Sequence, residues 1–295
     1  MSKGACVLFA ALALWTTRVD ACSCSGQGPA SALTRLDQSY GVRLSERFVL
    51  GQGASNAHGQ YQAFAPGEHD RSLEYALLMA YRVQRLELAA TVGYGTRSAA
   101  FSEVSERTSG LSDTLLRARY EAAEEPEPWQ NGVYPGLAML GTLRLPTAEA
   151  EGLAPRGLGT YEFALGVSLE RSFARVFRAG LLAELAGRLP DTTLGFTRRL
   201  GPRASAELTL SYFATPDLVI SALIGTRWEG NVSVQQRKQY GTAQRLTELG
   251  AAISFQPWKS PLRAGFAQRY APGIDGLSAN TLLGLTSEFW VGYVR

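Results

Sequence analysis

What most constrains this chain is alternation. Apolar and polar residues take turns over stretches much longer than an ordinary strand. In residues 72–83, Leu73, Tyr75, Leu77, Met79, Tyr81 and Val83 share one face. In 86–96, Leu86, Leu88, Ala90, Val92 and Tyr94 do so, with Glu87, Thr91, Gly93 and Gly95 opposite. Tyr161, Phe163, Leu165, Val167 and Leu169 repeat the pattern, as do Ala206, Leu208, Leu210 and Tyr212. A period of two is the signature of a strand with two unlike faces. Globular strands average about 5–6 residues, whereas a tilted membrane-crossing strand needs about 9–11. Twelve such segments follow one another, at 41–51, 72–83, 86–96, 111–121, 133–145, 159–171, 175–187, 203–213, 217–228, 243–255, 260–270 and 280–294.

The gaps alternate in length. Gaps 52–71, 97–110, 146–158, 188–202, 229–242 and 271–279 are long, whereas 84–85, 172–174, 214–216 and 256–259 are short. Short turns at one end and long loops at the other is the layout of outer-membrane barrels, whose short turns face the periplasm. An even strand number puts both ends of the barrel on that side. The gap 122–132, AAEEPEPWQNG, falls on the short side but is long; its acidic, proline-bearing composition suits a solvated turn. The stretch 191–200 has strand character but would make the count odd, so it is assigned to a long loop. The expected fold is therefore all-β: a transmembrane antiparallel β-barrel of about 12 strands (10–14). Aromatic residues collect at both ends of the segments, as headgroup-depth girdles require. Tyr94, Tyr161, Trp228 and Tyr270 lie by the long loops, and Tyr81, Phe173, Phe213, Phe255, Trp258 and Tyr293 near the short turns.

Charges occupy the other phase. Glu74, Arg82, Glu87, Arg117, Arg119, Arg144, Glu162, Glu170, Arg178, Glu184, Glu207, Arg227, Glu248, Arg263, Arg269 and Glu288 all fall opposite the apolar set. A basic residue in mid-bilayer costs about 2–4 kcal/mol, so these are expected to line a wet lumen. Eight arginines face eight glutamates in this set, which predicts weak ion selectivity. Mean hydropathy near zero is compatible with such a barrel, because the two faces cancel. A soluble β-sandwich has the same periodicity with the polar phase outside; strand length, loop alternation and an export signal favour the barrel.

That signal is read from the first residues. Lys3 precedes an unbroken apolar run, Ala5 to Trp15, and Val19-Asp20-Ala21 offers a cleavage site. The run is shorter than the roughly 20 residues of a spanning helix. Residues 1–21 are thus expected to be a signal peptide, 22–40 an N-terminal periplasmic segment or plug, and 41–295 the barrel. Of three cysteines, Cys6 leaves with the signal. Cys22 and Cys24, in ACSCSG, stand near the mature N-terminus. The readings open for them are lipid attachment, a soft-metal pair lacking further ligands, a disulfide, or idle thiols.

GLSDTLLRARYEA (110–122) resembles a G-x-x-D-x-x-L-x-x-R-Y strand of the putative outer-membrane transporter family named after the MetA pathway of phenol degradation. LRLPTAEAEGLAPRGLGTYEFALGVSLERSF (143–173) resembles that family's strand–loop–strand with L-x-L-P-T-G and G-x-G-T. Ala148 stands where the family usually has Gly, and Arg295 where such barrels usually end in an aromatic residue. The resemblance implies a porin-like barrel for small or hydrophobic compounds and transfers no binding residues.

Other chemistries have little support. Basic residues are scattered and net charge is +3, which gives no nucleic-acid footprint. His58 and His69 are the two histidines, both in the first long gap. GEHD (67–70) groups Glu68, His69 and Asp70, but neighbours on a loop rarely converge as a triad. No enzyme activity, cofactor or metal is expected. The expected function is a porin-like channel of the bacterial outer membrane for small solutes, hydrophobic or aromatic compounds among them. The alternative is a non-conducting structural or binding barrel displaying long extracellular loops. Expected partners are outer-membrane lipid, the barrel assembly machinery and small solutes.

Overall fold

A computed structural model describes residues 39–101, 104–123, 135–149, 154–173, 176–193, 196–215, 217–257 and 260–295. The expected signal peptide, nearly all of segment 22–40 with Cys22 and Cys24, most of the acidic turn 122–132, and Trp258 lie outside these residues. Twelve long strands form the molecule: β1 (Tyr40–Ser55), β2 (His69–Val83), β3 (Leu86–Phe101), β4 (Thr114–Ala123), β5 (Gly136–Leu145), β6 (Glu162–Phe173), β7 (Phe177–Arg188), β8 (Arg203–Phe213), β9 (Leu218–Glu229), β10 (Gln244–Phe255), β11 (Leu262–Tyr270) and β12 (Thr281–Val294). Each pairs antiparallel with its neighbours in sequence, and β12 pairs with β1 from Gly41↔Val294 to Ser55↔Thr281. The sheet is therefore a closed barrel with no free edge, as hydrocarbon demands of a sheet.

The polarity of the wall is inverted relative to a soluble protein. On β6, Leu165 is 75% exposed while Glu162 is 3% exposed; on β7, Leu185 is 69% exposed and Glu184 4%. Apolar side chains make the outer surface, and the charged phase turns inward. This excludes the sandwich alternative, in which the apolar phase would be buried between two sheets. A furrow of about 1540 Å³ in the wall is lined by outward residues such as Met79, Phe163 and Leu165 and by inner-phase residues such as Arg117, Arg203 and Glu229. The apolar outer belt matches acyl chains.

Boundaries shift by a few residues from those expected. β2 begins at His69 and β3 continues to Phe101. A short strand, Val104–Leu111, pairs back along β3 from Tyr94↔Leu111 to Phe101↔Val104, so most of the expected loop 97–110 is a protruding hairpin. Its small and polar residues carry no apolar stripe, as befits strands standing above the lipid. The stretch 191–200 does lie off the barrel: Asp191–Thr193 and Phe196–Arg199 join Ser233–Val234 and Arg237–Lys238 in a small separate sheet. Tyr94, Tyr161, Trp228 and Tyr270 are exposed near the long loops, and Tyr81, Phe173 and Tyr293 near the short turns. Phe213 is a correction to the girdle. It is 7% exposed on the inner phase, with the Arg178 guanidinium 5.3 Å from its ring centre.

Candidate functional site

Tilted strands set the geometry of the inner wall. A row of hydrogen-bonded neighbours climbs as it passes around the barrel, so residues distant in sequence meet at one level. Of the sixteen charges singled out above, Arg82, Glu87, Arg119, Arg144, Glu162, Arg178, Glu184, Glu207, Arg227, Glu248, Arg263, Arg269 and Glu288 are buried. Glu74, Arg117 and Glu170 are half-buried.

These charges gather into networks. Near the long loops, Glu162 takes Arg188 at 2.7 Å, Arg203 at 3.0 Å and Arg144 at 3.6 Å. Arg188 reaches on to Glu229 at 2.6 Å, Arg227 joins Glu229 at 3.2 Å, and Arg203 bonds Glu184. Near the short turns, Glu121 takes Arg119 at 2.8 Å and Arg82 at 3.7 Å. Glu170 lies between Arg119 at 3.9 Å and Arg178 at 3.6 Å. Arg269 meets Glu207 at 2.7 Å and Arg47 meets Glu74 at 3.2 Å. Removing one partner of such a buried pair leaves an uncompensated charge and costs about 3–5 kcal/mol.

Sequence reasoning missed several members. Arg43, Asp70, Arg97, Arg188, Arg203 and Glu229 are also buried, and Arg47 and Glu121 are half-buried partners in the pairs above. The signal was present for Arg43 and Arg47, which share the inner phase of VRLSERF. Arg188, Arg203 and Glu229 sit at strand ends, where phase is hardest to assign. With them, the buried charges among the described residues are eleven arginines (43, 82, 97, 119, 144, 178, 188, 203, 227, 263, 269) and eight carboxylates (70, 87, 162, 184, 207, 229, 248, 288). Adding the half-buried Arg47, Arg117, Glu74, Glu121 and Glu170 gives thirteen against eleven. The even balance of the first reading becomes a small arginine excess.

The described parts of the loop after β5, residues 146–149 and 154–161, pack against this inner surface. Arg97 holds Asp70 with Nε at 2.8 Å and Nη2 at 2.7 Å and donates from Nη1 to Pro155 O at 2.8 Å. Thr108 donates to Ala154 O at 2.7 Å. Ala154 and Leu158 are 0% and 3% exposed. Asp113, just above β4, clasps the loop from below: its Oδ2 accepts Leu158 N–H at 2.8 Å and its Oδ1 accepts Ala148 N–H at 3.2 Å. A Cβ on Gly157 would collide with the same carboxylate and with Ala148. Thr147 Oγ1 accepts the Thr114 N–H at 2.8 Å and donates to Ser112 O at 2.8 Å. The Asp of the first motif and the Pro-Thr and Gly-x-Gly of the second thus form one clasp. Burial pushes the Asp113 carboxyl above its ordinary range, against the opposing pull of the two N–H groups and Arg144.

The residues considered for catalysis do not converge. His58 is exposed. His69 turns outward, its Nε2 3.0 Å from Ser98 Oγ, while Asp70 turns inward to Arg97. Consecutive strand residues point to opposite faces, so Asp70 cannot orient His69. Among the described residues, no group of three or more His, Cys, Asp or Glu is placed to hold a metal.

No family model matches the chain, and no curated protein is similar to it in sequence. Solved structures are similar in fold. The COG4313 outer membrane channel from Pseudomonas putida F1 superposes with a TM-score of 0.74 at 14% identity, over 89% of this chain and 98% of that one. The beta domain of the Bordetella autotransporter BrkA does so with a TM-score of 0.51 at 12% identity, over 86% and 99%. The fold of this chain is that of outer-membrane β-barrels.

Proposed function

We propose that this protein is a channel of the bacterial outer membrane through which small solutes diffuse, hydrophobic or aromatic compounds among them. One observation carries the reading: a closed wall whose outer face is apolar and whose inner face is charged. A polar interior enclosed by an apolar belt is the physical form of a water-filled path across lipid. The sixteen charges of the first reading, with Arg43, Arg47, Arg188, Arg203 and Glu229, line that path. The resemblance of 110–173 to the MetA-pathway transporter family and the fold likeness to an outer membrane channel support the same conclusion. On this reading the barrel assembly machinery is the partner that completes the closed wall in the membrane.

Single-channel recording in planar bilayers tests it. Stepwise conductance from the purified, heat-modifiable barrel is the expected result; silence at every voltage removes the channel. The second reading, a non-conducting barrel that displays its loops, is favoured by the clasped loop 146–161 and the ion-paired inner wall. Silence together with loops open to protease on intact cells would establish it.

A further inference from the structure

Donor nitrogens without a hydrogen-bond acceptor among the described residues occur at several places on the inner wall, and those of Arg43 and Arg117 are two of them. Arg43, on β1, is 5% exposed. Its guanidinium lies over the Trp290 ring at 5.6 Å, and no carboxylate comes within ion-pair distance among the described residues. Its Nε has no hydrogen-bond partner there; neither do Arg117 Nε and Nη2 nor Trp290 Nε1. The nearest acid to Arg117 is Glu87, at 4.0 Å, and Glu87 is shared with Arg82 at 3.6 Å.

The register places Arg43 and Arg117 near one level of the inner wall. Arg117 is on the tilted row Gly41–Ala80–Ala89–Arg117, which begins two residues from Arg43. The inner-phase side chains between them are Ala80 and Ala89 on that row and Leu78 and Thr91 on Arg43's own row. Trp290 lies flat on Gly265, where any Cβ would strike the ring; its Nε1 edge is therefore fixed. Arg43 and Arg117 are close enough to act on each other electrostatically, as are Glu87 and Glu288 on Arg43. Neither acid makes an ion pair with Arg43.

Buried donors need acceptors, and a planar guanidinium takes a carboxylate best. We propose that Arg43 and Arg117, with the Trp290 Nε1–H, form a binding site for small organic carboxylates inside the barrel. The inference rests on the channel reading and names the class of solute that the channel takes. Neutral compounds pass without engaging it.

The test uses the intact barrel and potassium benzoate as probe. In bilayers under a KCl gradient, the wild type is expected to prefer anions, and added benzoate to reduce its chloride current. Arg43→Gln and Arg117→Gln each raise the half-blocking benzoate concentration about tenfold, the loss of one charged hydrogen-bond donor. Arg43→Lys keeps the anion preference but loses much of the block. Calorimetry of benzoate with the folded, detergent-held barrel reads the site without current. Conductance with no anion preference, no block and no heat overturns the site and leaves the channel. Heat that is lost in Arg43→Gln, from a barrel that passes no current, keeps the site and overturns the channel.

Discussion

Single side chains decide how firmly the inner wall and its loop are held. Glu162 balances three arginines, so Glu162→Gln should cost about 3–5 kcal/mol, read as a lower urea midpoint for unfolding from micelles. An unchanged midpoint would mean that water already screens the cluster. Asp113 carries a pH dependence of definite sign. Its folded-state pKa is raised, so the folded protein binds that proton more tightly than the unfolded chain does. Its contribution to stability is fully present below the ordinary carboxylate value and is lost as pH rises through the raised one. Protease protection of segment 146–158 should therefore increase on mild acidification from neutral pH, and Asp113→Asn should flatten the change. Protection that falls on acidification would contradict the assignment. Glu46 breaks the wall's own rule. It is exposed on the outer phase, where the Tyr75 hydroxyl donates to it at 3.4 Å. Glu46→Leu should stabilise the barrel in lipid, by less than the roughly 2–4 kcal/mol typical of a mid-depth basic residue.

At the level of strands, the face matters more than the residue type. Leu165→Arg on β6 places a cation in the lipid belt and should cost about 2–4 kcal/mol, measured as equilibrium folding into vesicles. Thr142→Arg, on the inner phase of β5, should cost far less. Equal penalties would undo the assignment of faces. The same logic explains what could be read without coordinates. The strand count, their order and the inner phase of residues such as Glu87 and Arg144 follow from period-two patterning, because a slip of one residue would turn every charge into lipid. Strand ends do not follow: β3 runs on into a hairpin where no bilayer enforces alternation. The clasp of Asp113 on Leu158 was invisible too, since its contacts go to backbone N–H groups, which leave no trace in composition. Arg43 shows a third limit. Its phase was legible, but its lack of a carboxylate partner depends on rows that join strands far apart in sequence.

Over the whole molecule, the channel reading makes the balance of charge and the clasped loop the determinants of conduction. Shortening segment 148–158 to a tight turn should raise unit conductance severalfold if that loop narrows the mouth, and bilayer recordings of the shortened protein give the answer directly. The pairing of β1 with β12 reaches further. β1 pairs on one side with β2, but its second neighbour is β12, about 240 residues further along, so the closing contact is highly non-local. There is no stable half-product: a sheet of eleven strands has two raw edges that hydrocarbon will not tolerate. A chain that lacks β12 is therefore expected not to insert into the membrane, closure itself being the condition of entry.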